Sequence, residues 1–132
     1  MYPEFSRERL DKTVQCLLNS KWVPFSSSMR TILPEAGGVY RICDVSNCEN
    51  KILYAGLSGN LRDRLYRKHF MGNPKTSTLK RKLVGIKFDS PAEVKEYLRS
   101  SCEAQFCVIE DERLRRLAEQ YIIALLQPPY ND

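Results

Sequence analysis

The sequence contains no apolar run that approaches the length of a membrane span. Its opening Met-Tyr-Pro-Glu-Phe-Ser-Arg-Glu also lacks the apolar core that a secretion signal needs. No membrane partner is expected, and the chain reads as intracellular, cytoplasmic or nucleoid-associated. Internal repeats and low-complexity tracts are missing too, which leaves one globular domain as the reading of 132 residues with 42% hydrophobic and 28% charged content. Histidine and tryptophan occur once each. The five cysteines, Cys16, Cys43, Cys48, Cys102 and Cys107, are odd in number and come without a secretion signal, so they read as free thiols. Two pairs share a Cys-x4-Cys spacing. A four-thiolate zinc site would need the first hairpin loop to lie near the last strand, and zinc knuckles usually use tighter pairs.

Acids are scarce where bases crowd. Between Arg62 and Lys87 stand nine basic residues and one acid, Asp63, whereas from Asp89 to Glu119 acids outnumber bases eight to five. The net charge of +5 is therefore local, and a basic face beside a hairpin suits a phosphate backbone, where each neutralised phosphate releases counterions. A solvated lysine-rich surface has the same composition. Charge alone leaves both readings open.

Residues 1–33 read as an N-terminal helix and connector packed on a domain of residues 34–132. From Tyr2 to Lys21, Phe5, Leu10, Val14, Leu17 and Leu18 keep a helical spacing, with Ser6 as N-cap. Trp22 to Pro34 is a Ser- and Pro-rich connector that Trp22 and Phe25 anchor to the core. Val39 to Ile42 and Ile52 to Tyr54 have strand composition and flank a loop of turn residues, and Gly56 and Gly59 allow a sharp bend into a helix from Leu61 to Phe70. Further helices are expected from Ser77 to Val84, from Ala92 to Ser100 with Ser90 as N-cap, and from Glu110 to Gln127. Ala104 to Ile109 is the remaining strand. The fold expected is a small α/β (α+β) domain: a central, mainly antiparallel three-stranded sheet flanked by helices.

The stretch Gly38-Val39-Tyr40, followed by Tyr54-Ala55-Gly56 and by Arg64 ten residues after the second tyrosine, resembles the GIY-YIG nuclease domain. Glu119 in the last helix and Asn131 in Pro-Pro-Tyr-Asn resemble that family's metal-binding glutamate and late asparagine. The resemblance implies a Mg²⁺-dependent endonuclease, with Mn²⁺ as a substitute, that hydrolyses DNA phosphodiester bonds without a small-molecule cofactor. It leaves open a homodimer for double-strand cleavage.

It further implies Tyr40 as general base, Tyr54 as its water-positioning partner, Arg64 as the transition-state arginine, Glu119 as the metal ligand and Asn131 as a positioning group. Many members place a histidine four residues after the arginine, whereas here His69 falls one residue later. On an ideal α-helix that is a rotation of about 100°. Either Lys68 substitutes as proton donor or phosphate clamp, or the helix is overwound, or His69 is structural; Lys68 is the expectation adopted. Leu57 stands where repair-type members often carry lysine, which argues against close kinship with that branch. The DNA-binding set on this reading is Arg62, Arg67, His69, Lys75, Lys80, Arg81 and Lys82.

Bland readings accompany each residue: Glu119 pairing with Arg115 one turn earlier, Arg64 as a surface arginine, and the tyrosines as sheet filling. A catalytically inactive nucleic-acid-binding module on the same scaffold is the alternative function. An interaction domain using the N-terminal helix is a further one.

Overall fold

A computed structural model describes residues 7–131. The expected helix start at Tyr2 to Ser6 lies outside the described residues. From Arg7 the chain forms α1 (Arg7–Asn19), a short strand β1 (Val23–Pro24), one helical turn α2 (Met29–Ile32), then β2 (Gly38–Asp44) and β3 (Lys51–Ser58). A π-helix (Asp63–Phe70) follows, then α3 (Thr78–Ile86), α4 (Pro91–Ser101), β4 (Cys102–Val108) and α5 (Glu112–Leu126).

The sheet is antiparallel with the order β1-β4-β2-β3, so β2 lies at its centre, paired on both sides. Four strands form it rather than the three expected, because Val23 and Pro24 of the connector pair with Ala104 and Glu103. A two-residue strand carries no period-2 signal to read. Within the β2–β3 hairpin Tyr40 faces Gly56 and Ile42 faces Tyr54, which puts the two tyrosines on a diagonal of one face. The register shifts between Ile42 and Cys43 and leaves Leu53 as the extra residue of a bulge.

Each face of the sheet carries its own core. Tyr40, Ile42, Leu53 and Ala104 pack with Leu65 and Phe70 of the π-helix, Leu79 and Leu83 of α3, and Val94 and Leu98 of α4. Val39, Ala55 and Cys107 point the other way, onto Val14 and Leu17 of α1 and Leu114, Ala118 and Ile122 of α5. The alternation of Val39, Tyr40, Arg41 and Ile42 thus sorts one strand between two cores. The N-terminal helix is one wall of the second core. Gln105, 1% exposed, fastens the connector: its amide donates to the carbonyls of Leu18 and Ser20 while its oxygen accepts from Arg41. Phe25 is buried, whereas Trp22 stays half-buried with the Arg41 guanidinium 5.2 Å from its ring.

The helix ends follow the sequence signals. Ser77, Ser90 and Asp111 each accept the backbone N–H of the residue three on, which caps α3, α4 and α5. Gln127 adopts φ 48° at the end of α5, and Pro128 and Pro129 follow. The outer edge of β3 is closed by the chain's last described residues, because Tyr130 N–H donates to Leu53 O and the Asn131 side chain pairs with Ala55.

Candidate active site

The first group to settle is Tyr40. Its side chain is 1% exposed, lying across Gly56 of the neighbouring strand; a Cβ on Gly56 would stand 2.5 Å from the phenol oxygen. Only glycine leaves that space. Tyr54 and His69 complete an aromatic cluster, with ring centroids 6.3 Å apart for Tyr40 and Tyr54, 5.5 Å for Tyr40 and His69, and 5.3 Å for Tyr54 and His69. Burial holds the Tyr40 phenol well above its ordinary value; the charges of Tyr54 and Glu119 add to this and Arg64 opposes it. Arg64 and Glu119 therefore lie close enough for their charges to act on the phenol.

His69 overturns the expectation placed on Lys68. The helix that carries Arg64 is a π-helix, with Met71 N–H bonded to Tyr66 O five residues back. It is wound wider than an α-helix, the opposite of overwinding. A repeat closed over five residues brings His69 to the side of the helix that Arg64 occupies. His69 is 1% exposed, with Nε2 at 2.7 Å from Tyr40 Oη and Nδ1 at 2.7 Å from Ser77 Oγ. It is therefore absent from any exposed DNA-binding face. Lys68 pairs with Asp63 at 3.5 Å on the helix's outer side.

Burial, together with the positive charges of Arg64 and Lys80, pulls the His69 pKa down to about 3. Because its unfolded value is near 6.5, the unfolded chain binds one proton more than the folded chain between these values. Folding stability is thus complete above pH 6.5 and falls as the pH drops. Urea unfolding at pH 7 and pH 5 is expected to register a loss approaching about 1.4 kcal/mol per pH unit below 6.5 from this group. His69→Gln should lack that component. An unchanged midpoint in the wild type would show a histidine that charges freely.

Glu119 is half-buried on α5. Desolvation raises its pKa, opposed by Arg116 and the Leu57 backbone. The pairing with Arg115 does not form. Arg115 is 9% exposed and turns to the hairpin base, where Nη1 donates to Ser58 O and the guanidinium lies against Gly37. Arg64 is half-buried, and its guanidinium has no hydrogen bond or ion pair among the described residues. Asn131 does not enter the cluster. Its amide oxygen accepts from Ala55 N–H at 2.9 Å and its amide nitrogen donates to Ala55 O at 2.7 Å, fixing the residue between Tyr54 and Gly56.

The basic set divides. Arg67, Lys75 and Arg81 are exposed. Arg62 is held by Leu33 O and Glu35, and Lys82 donates to Asn131 O. Lys80 is 2% exposed, with its ammonium on the carbonyls of Phe70 and Gly72, so it ties the end of the π-helix to α3 and faces no solvent. Sequence reading missed Ser77 as a site-lining residue. Its N-cap signal was legible, but its contact with His69 depends on the π turn.

No group of three or more His, Cys, Asp or Glu side chains that could hold a metal ion occurs among the described residues, which also removes the four-cysteine zinc reading. Cys43, Cys102 and Cys107 are buried free thiols, and Cys16 and Cys48 are exposed. Glu119 alone is a hard oxygen donor beside the tyrosines. Such a donor set fits a magnesium-type ion, which keeps its waters and takes one or two carboxylates with substrate phosphate oxygens. Among the described residues no helix is long and apolar enough to cross a membrane.

The sequence profile of the GIY-YIG catalytic domain matches residues 36–131, and the chain belongs to the GIY-YIG family. Among solved structures it is similar to two crystal structures of the GIY-YIG N-terminal endonuclease domain of UvrC from Thermotoga maritima, both tyrosine-to-phenylalanine point mutants bound to the catalytic divalent cation. Identities are 23% and 24% and the TM-score is 0.50 for each, over 81% of this chain and 98% of each of those chains. That similarity is one of fold. No curated protein matches the chain.

Proposed function

We propose that this chain is a divalent-metal-dependent endonuclease that hydrolyses DNA phosphodiester bonds. The observation that carries the reading is the meeting of a buried phenol, Tyr40, with Arg64, Glu119, Tyr54 and His69 at one end of the sheet, in a family defined by a catalytic domain. Hydrolysis needs a base for water, positive charge for the phosphoryl oxygens and stabilisation of the leaving oxygen.

Tyr40 in its phenolate form takes a proton from the attacking water, which Tyr54 orients from the neighbouring strand. Arg64, with a guanidinium not engaged by its neighbours, grips the phosphoryl oxygens with a planar fork of fixed charge. Asn131 keeps Tyr54 in place by clamping the backbone of Ala55. Glu119 would hold Mg²⁺, or Mn²⁺ in its place, and a bound ion would supply Lewis-acid charge at the phosphate and leaving oxygens. Arg67, Lys75 and Arg81, exposed on the basic side, meet the backbone of the duplex.

Cleavage of a panel of supercoiled plasmid, linear duplex, and flap and branched oligonucleotides with Mg²⁺, Mn²⁺ or EDTA tests the reading. Metal-dependent cutting is the expected result. Nicked circles ahead of linear product would mean one strand at a time, and simultaneous cuts would call for two copies. Tight, salt-sensitive binding without any cutting would overturn catalysis and leave a nucleic-acid-binding module.

A further inference from the structure

Behind Tyr40 lies a chain of buried hydrogen bonds whose direction follows from counting donors. Tyr40 Oη meets His69 Nε2, His69 Nδ1 meets Ser77 Oγ, and Ser77 Oγ already accepts the Lys80 backbone N–H at 3.1 Å. Each of the three side chains is 1% exposed. A neutral imidazole has one N–H and one bare nitrogen, and each hydroxyl has one hydrogen. Two arrangements exist. With the hydrogen on Nδ1, Ser77 accepts from both sides and its own O–H is left over. With the hydrogen on Nε2, Ser77 donates to Nδ1, His69 donates to the Tyr40 oxygen, and the phenol hydrogen is left over.

The two ends differ in what they can offer a leftover hydrogen. Ser77 sits between the π-helix and α3, and its hydroxyl has no partner among the described residues other than His69 and the Lys80 N–H. A buried donor left unmade there costs about 1–3 kcal/mol. At the other end the Tyr40 oxygen lies across Gly56, with Tyr54 and the Glu119 carboxylate near enough for their charges to reach it. A hydrogen released at that end has an anionic acceptor in its surroundings.

We propose that Ser77 holds neutral His69 in the Nε2–H tautomer, so that His69 donates a hydrogen bond to the Tyr40 oxygen and the phenol hydrogen points outward to the Glu119 side. His69 is then not the group that receives the Tyr40 proton. The phenol proton leaves toward the cleft, and the phenolate that remains keeps a donor behind it. When the phenolate takes a proton from the attacking water, one water O–H bond breaks, the phenol O–H forms, and Nε2–H stays on the imidazole. Ser77 touches no reacting atom and acts through His69 as a positioning residue. The part of this that concerns hydrolysis rests on the proposed nuclease reading; the tautomer does not.

His69 is the chain's one histidine, so ¹⁵N-labelled protein gives one imidazole spin system. The expected spectrum near pH 7 has a protonated Nε2 and a bare Nδ1. Ser77→Ala should move the population toward Nδ1–H, and Ser77→Thr, which keeps the hydroxyl and the cap of α3, should restore it. Under the nuclease reading Ser77→Ala lowers kcat about tenfold with little change in KM, about 1.4 kcal/mol of barrier, and Ser77→Thr recovers it. A protonated Nδ1 in the wild type, or a tautomer indifferent to Ser77→Ala in a folded variant, would overturn the proposal. An Nε2–H spectrum in a protein that cuts no DNA would uphold the tautomer and sink only the nuclease reading.

Discussion

Glu119→Gln is expected to abolish detectable cleavage while leaving the fold and DNA binding in place. The side chain is half-buried on α5, and the substitution preserves its volume and its ability to accept a hydrogen bond from the Leu57 backbone. It removes the one negative charge able to hold a divalent cation beside Tyr40 and Tyr54. A loss of roughly a thousandfold corresponds to about 4 kcal/mol of barrier, within what metal charge contributes to such transition states. Thermal unfolding should stay close to wild type. Fluorescence anisotropy on duplex DNA should show equal or slightly tighter affinity, since an anion facing phosphate is gone. Both assays must run on the same preparation. Full activity in the variant would remove Glu119 from the mechanism.

Tyr40→Phe carries the second large effect. The ring fills the same space against Gly56, Tyr54 and His69, so the core of that face is kept. What disappears is the oxygen that takes the proton of water. Loss of a general base lowers the rate by about 10²–10⁴. The variant also strands a buried nitrogen of His69, which costs about 1–3 kcal/mol of stability, so unfolding should begin at lower temperature even though the ring is retained. Tyr54→Phe is the internal control: at its half-buried position it should reduce the rate less than Tyr40→Phe. Single-turnover cleavage at saturating DNA separates the two, because it reads chemistry without binding. Equal rates for Tyr40→Phe and wild type would move the base to another group.

The strands and helices were readable because their patterns are local. Leu79 and Leu83, the Ser90-Pro91 cap and the apolar stripe of α5 each obey a period that one window contains. The tyrosine pair was equally legible, since a hairpin register follows from its turn. Two things were not. Lys80 stands in a Lys-Arg-Lys run that reads as a charged surface, and only the return of the chain at Gly72 gives its ammonium two carbonyls to bond. The place of His69 was misjudged because an α-helical repeat was assumed, and residues 63–70 contain nothing that announces a wider turn. The pairing of Arg115 with Ser58 rather than Glu119 depends on a contact 57 positions away, which no periodicity encodes.

The two cores described for the sheet meet in the site. Tyr40 and His69 belong to one face, held by the π-helix, α3 and α4, whereas Glu119 comes from α5, which is docked on the other. A chain that has assembled only one face has either the phenol or the carboxylate, never both. Activity would then report complete folding, and a nascent or partly denatured copy would be harmless to the nucleic acid around it.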